Sequence, residues 1–141
     1  MSSNRALEIT VGLEPKTYDI DFSGIVSNIV YIRWLEDLRL IWLETHFRPL
    51  NTLLEDGVCP VILQTRVDYK RALLISDKPS GRMWVSGYTR FKWVLGAEIS
   101  ARGWTRAIAE QTGGFLNMDT KQAVPIPDDL YSKVSEAVDN A

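Results

Sequence analysis

The chain has 141 residues and a mass of 16.0 kDa, the size of one ordinary domain. Apolar residues make up 45% and charged residues 24%, the balance of a folded protein and not of a disordered chain. The 16 Lys and Arg against 18 Asp and Glu leave a net charge of −2, no global field for a polyanion or an anionic membrane, so neither nucleic acid nor membrane is expected as a partner.

No repeat or Pro/Gly/Ser linker divides residues 1–141, which are read as a single domain. Residues 7–18 set Ile9, Val11 and Leu13 at alternate positions, a first strand with an irregular end at Pro15. Asp19, Asp21, Ser23, Gly24, Ser27 and Asn28 then make a turn-like segment, with Ser27 and Asn28 both good N-cap types. Residues 29–44 contain neither Gly nor Pro, and Tyr31, Leu35, Leu38 and Trp42 recur at the spacing of one helix face. Ile32, Trp34, Leu40, Ile41 and Leu43 widen that face, so the helix needs cover from its own sheet and from a partner subunit.

Residues 48–56 read as a short helix or turn ended at Gly57. From Cys59 the period changes to two, and Val61, Leu63, Thr65, Val67 and Tyr69 alternate with the residues up to Lys70 as a long strand. A turn cluster at residues 77–81 leads into a second alternating run, 83–92, which sets Arg90 and Lys92 on one strand face with Trp84 and Tyr88. Two more strands are expected over 93–101 and 104–117, and a short amphipathic helix over 128–141. One apolar helix among strands joined by short turns predicts an α+β chain with a largely antiparallel sheet wrapped round the helix. Its open edge predicts a homo-oligomer.

Several chemistries are excluded early. Residues 25–43 are interrupted by Arg33, Glu36, Asp37 and Arg39 and cannot span a membrane, and the first five residues lead into no apolar signal core, so the cytoplasm is the default location. Cys59 and His46 are single residues of their kind, which leaves no set for structural zinc; neither metal nor cofactor is expected. A Ser-His-Asp triad would need His46, and no Gly-x-Ser-x-Gly elbow is present.

The remaining chemistry gathers at the turn before the helix. A first helical turn offers free N–H groups and the positive end of the dipole. A carboxylate beside such donors can attack a carbonyl, or activate water to do so, while the amides bind the oxyanion. Taken alone, the residues favour the alternative of two solvated turn aspartates at a helix N-terminus, because Asp, Ser, Gly and Asn are ordinary turn residues.

Asp19-Ile20-Asp21-Phe22-Ser23-Gly24-Ile25-Val26, followed by Asn28, Tyr31, Arg33-Trp34-Leu35-Glu36 and Arg39, resembles the D-x-D-x-x-G-x-V…Y-x-x-W-x-E-x-x-R signature of hotdog-fold acyl-CoA thioesterases of the 4-hydroxybenzoyl-CoA class. The resemblance implies a five-stranded antiparallel sheet around one long helix, and dimers or tetramers with active sites at the subunit interface. It implies Asp21 as the catalytic carboxylate and the backbone N–H near Asn28 and Ser27 as the oxyanion donor. Asp19 and Gly24 then support the turn, Glu36 is structural or lines the pocket, and Tyr31 and Trp34 line an acyl pocket. It also implies that Arg90 and Lys92 hold the phosphates of coenzyme A. Ser27 is smaller than is usual in the aromatic-thioester branch, so the acyl group stays open. Carrier-protein thioester hydrolysis and a non-catalytic acyl-thioester binding module are the alternatives.

Overall fold

The computed structural model describes residues 5–141. Its strands are β1 (Ala6–Gly12), β2 (Val58–Tyr69), β3 (Ser80–Tyr88), β4 (Trp93–Ala101), β5 (Trp104–Asn117) and β6 (Ala123–Val124). Its helices are α1 (Asn28–His46), α2 (Leu50–Glu55) and α3 (Asp128–Asp139). The sheet is antiparallel in the order β1-β3-β4-β5-β2, and β6 pairs with β5 through Phe115 and Val124. Five long strands were expected; the two-residue β6 is an addition that occupies β5 past the end of its pairing with β4.

Alternation decides which side chains meet α1. Met83, Val85, Leu95, Ala97, Ala109 and Phe115 point inward and form one core with Leu35, Leu38 and Trp42. The small residues at 97 and 109 are directly paired across β4 and β5, which lets the sheet curve close to the helix. At Gly113 an added Cβ would lie 2.1 Å from the Trp93 ring, so glycine there is the condition for packing that indole under the sheet. A second, smaller core joins Val26, Val30, Tyr31 and Trp34 to Leu73, Ile99, Ala101 and Ala107 at the other end of α1. The helix stripe Tyr31, Leu35, Leu38 and Trp42 is buried along its whole length, while Ile29, Ile32 and Ile41 remain exposed.

Two local expectations are corrected. The first strand stops at Gly12 and does not run to Tyr18; Leu13 donates once more, to Pro79 O, and Pro15 has no N–H to continue the ladder. The run 83–92 stops at Tyr88. Residues 89–92 are a turn, in which Thr89 N donates to Lys92 O at 2.7 Å and Thr89 Oγ1 accepts from the Lys92 amide at 3.0 Å. His46 ends α1, where burial, with Lys133 nearby, lowers its pKa. No helix among the described residues is long and apolar enough to cross a membrane.

Candidate active site

Residues 19–27 reverse the chain as a tight ladder. Ser27 N donates to Asp19 O at 2.8 Å, Ile20 bridges Val26, and Asp21 N donates to Ile25 O at 2.9 Å. Gly24 closes the tip at φ +84°, a backbone region costly for any residue with a Cβ. Val26 N donates to Leu73 O, and this ties the reversal to the loop after β2. The whole device ends at Ser27, the N-cap of α1, whose side chain makes no capping bond.

The two aspartates of the reversal have opposite surroundings. Asp19 is 5% exposed; its carboxylate accepts from Lys16 N at 2.8 Å and from Arg33 Nη2 at 2.9 Å. It therefore clamps the reversal to the second turn of α1. Asp21 lies further out, and its Oδ1 accepts from the Ser23 hydroxyl at 2.7 Å and the Ser23 amide at 2.8 Å. The Ser23 hydroxyl bond, with the Ser23 and Ile25 backbone, holds the Asp21 carboxyl below the usual carboxylate range, so it is ionised at neutral pH. The Asp-x-Ser spacing is an Asx-turn signal visible in the sequence; the Arg33 clamp, which joins two separate elements, has no local signal.

The Ser27 amide is consumed by Asp19 O, and Val30 N donates to Ser27 O. Among the described residues the Asn28 amide, at the first helical position, meets no acceptor. Of the two amides, only that of Asn28 is left open to a further acceptor. On the far side, Tyr69 Oη at the end of β2 donates to the Asn28 carbonyl at 2.9 Å, which fixes β2 against the helix opening.

Tyr31 is buried, with edge-on contacts to Trp34 and Tyr69 at 5.6 and 5.0 Å between ring centroids. Its ring packs between α1 and the end of β2. Trp34 borders a shallow groove with Tyr18, Asp19, Arg33 and Glu36. Glu36 is also at the rim of a separate, mainly apolar cavity of about 210 Å³ between α1 and the sheet, walled by Trp42, Leu43, Ile62, Leu95 and Phe115. Arg39 closes its edge by donating to Gln111 Oε1 at 2.6 Å.

Arg90 and Lys92 are not brought to this place. Both sit in the β3–β4 turn, at the end of the sheet where Trp93 pairs with Gly113, whereas the reversal meets the end holding Ala101 and Ala107. The Arg90 guanidinium is committed: it donates to Ile126 O at 2.6 Å, ion-pairs with Asp128 and lies over the Tyr131 ring. It anchors α3, a partner the alternation of 83–92 had no means to reveal. Among the described residues no three His, Cys, Asp or Glu side chains group as a metal site.

Residues 15–134 match the model of the thioesterase-like superfamily. No curated protein matches the sequence. Among solved structures, the chain is similar to a DHNA-CoA thioesterase from Staphylococcus aureus at 19% identity and TM-score 0.87, with 94% of this chain and 93% of that one covered. A 1,4-dihydroxy-2-naphthoyl-CoA thioesterase from Synechocystis superposes with TM-score 0.82 at 14% identity, over 92% and 96% of the two chains. A hypothetical protein from Staphylococcus aureus in complex with CoA gives TM-score 0.87 at 13% identity, over 99% and 89%. The family match spans the reversal, α1 and the whole sheet beyond β1, and the chain belongs to the thioesterase-like superfamily as a hotdog-fold thioester hydrolase.

Proposed function

We propose that the protein hydrolyses acyl-CoA thioesters. The observation that carries this reading is an ionised Asp21 carboxylate on the reversal that also presents the unpartnered Asn28 amide. Asp21 acts at the carbonyl carbon, as nucleophile or as the base that deprotonates the attacking water; both routes use its ionised form. Negative charge then develops on the carbonyl oxygen, where the Asn28 N–H and the helix dipole stabilise it. The C–S bond breaks and the CoA thiolate departs; on the base route the attacking water has already supplied the oxygen of the free acid, and on the nucleophile route a water then hydrolyses the acyl-Asp21 anhydride, releasing the acid and restoring the carboxylate. Trp34 and Glu36 line the acyl side, and Asp19, Gly24 and Arg33 hold the reversal in place.

The site is completed by a second copy of the chain. Tyr18, Phe22 and Ile29 expose large apolar surfaces round the reversal, an arrangement that normally marks an interface or a ligand. β2 pairs with β5 on one side only, so its outer edge is free among the described residues and is suited to pairing with its own copy. A two-fold axis makes that pairing antiparallel. The β3–β4 turn of one protomer, with Lys92, then approaches the reversal end of its partner.

The test is thiol release from aryl-, short-chain and long-chain acyl-CoAs, set against the same acyl groups on carrier protein, with the mass measured by light scattering. Release from acyl-CoA by a particle of at least twice 16.0 kDa is expected. Turnover of carrier-protein substrates alone, or of neither class, or an active monomer, would contradict the reading.

A further inference from the structure

The chain carries a net charge of −2, yet residues 70–78 and 101–106 hold five cations, Lys70, Arg71, Lys78, Arg102 and Arg106, against the single carboxylate of Asp77. Two of the five are spoken for. Asp77 is buried and takes Arg102 Nε at 2.8 Å, and Arg106 is spent on the carbonyls of Ala72 and Ala101. Lys70 and Arg71 have no carboxylate within ion-pair reach among the described residues. Their backbone amides both bond to Arg106 O, so the pair is held on β5 and is not a mobile surface run.

Arg71 makes one distinctive contact. Its guanidinium carbon lies 3.6 Å from the centroid of the Trp104 ring, at the tip of the β4–β5 hairpin, where Trp104 is 54% exposed. An indole this open is unusual on a surface that buries most of its other tryptophans. Stacked guanidinium and indole form a flat, positively charged step. Planar bases stack on such surfaces, and phosphates take bidentate bonds from the unused edge of the guanidinium.

The step stands at the reactive end of the molecule. Tyr69 bonds to the Asn28 carbonyl, and Lys70 and Arg71 follow it directly; Leu73, two residues further, accepts from Val26 of the reversal. We infer that Arg71 and Trp104, with Lys70 beside them, bind the adenine and phosphates of the substrate's coenzyme A, in place of the committed Arg90. This inference rests on the acyl-CoA reading above and adds where the nucleotide is held.

The experiment is calorimetric titration with CoA and with pantetheine, which lacks the nucleotide, so that binding is read without turnover. Arg71→Ala and Trp104→Ala should each weaken CoA binding by about tenfold or more, with pantetheine binding equal in variant and wild type. Arg71→Lys keeps the charge without the flat stack and should fall between wild type and Arg71→Ala. Adenosine 3′,5′-bisphosphate should compete with CoA on the wild type. Thermal melting identifies a variant that has lost its fold, and the Lys substitution keeps the question open to refutation if an Ala variant does. Equal CoA binding by wild type, Arg71→Ala and Trp104→Ala would overturn the inference, as would equal losses for CoA and pantetheine, or a loss confined to Lys92→Ala. CoA binding that follows Arg71 and Trp104 with no thiol released from any acyl-CoA would sink hydrolysis while leaving the platform standing.

Discussion

The two ends of α1 were built for different work. At its C-terminal end the helix is enclosed: α3 docks Leu130 and Val134 into the main core, Arg90 ties α3 to the β3–β4 turn, and Trp42 Nε1 donates to Leu7 O at 2.9 Å. At its N-terminal end the helix opens onto solvent, with Phe22, Ile29 and Tyr18 exposed and an amide left without an acceptor. Burial at the closed end supplies stability, on the order of 25 cal/mol per Å² of apolar surface. The open end leaves polar capacity unused, which is what a reaction centre requires and a core does not. The difference shows most sharply in the two aspartates: Asp19 is clamped by Arg33 and the Lys16 amide, whereas Asp21 is held by Ser23, two residues on.

The strongest way to break the contrast is Asp21→Asn, which keeps the shape and removes the charge. Hydrolysis of acyl-CoA should fall by about 10²-fold or more, with an unchanged melting temperature; a variant within a few-fold of wild type in a thiol-release assay would refute the role of Asp21. Asp19→Ala acts through structure. It strips Arg33 and the Lys16 amide of a buried acceptor and should cost about 2 kcal/mol in chemical denaturation, lowering activity through disorder of the reversal.

The closed end should respond in stability alone. Arg90→Ala removes the bonds to Ile126 O and Asp128 and the contact with Tyr131, and a loss of about 1 kcal/mol is expected. Amide exchange should rise in α3 first, and KM for acyl-CoA should not follow. The smallest effect is the most specific. Ser23 hydrogen bonds favour the ionised form of Asp21, so they stabilise the reversal above the ordinary aspartate range and are lost as pH falls through the depressed pKa. Ser23→Ala should therefore move the Asp21 titration upward, toward the ordinary value, in an NMR titration of the carboxyl carbon. A downward move or none would show that Ser23 does not set it.

The faces of the elements were legible in the sequence, because helix and strand periodicity records which side each residue presents. Tyr31, Leu35, Leu38 and Trp42 are buried along one stripe of α1, and Met83 and Val85 of the alternating run lie on the inward face of β3. The helix opening and the D-x-D reversal were legible too, since turn residues and caps act within a few positions. Periodicity was misleading at 83–92, where it continued past a turn made by Thr89.

Partnership lay beyond the sequence. The spacing to Ser23 marks Asp21 locally, but only the fold brings Arg33 to Asp19. Nothing in residues 83–92 says that Arg90 is taken by Ile126 and Asp128, or that Arg71 will lie on Trp104. The sequence by itself determined the elements, their apolar faces and the place of the reversal, because those follow from φ/ψ preference and side-chain spacing over a few residues. Only the tertiary structure decided which charges were neutralised, which amide stayed open and which cations stayed free, because each depends on groups tens of residues apart arriving within hydrogen-bond distance.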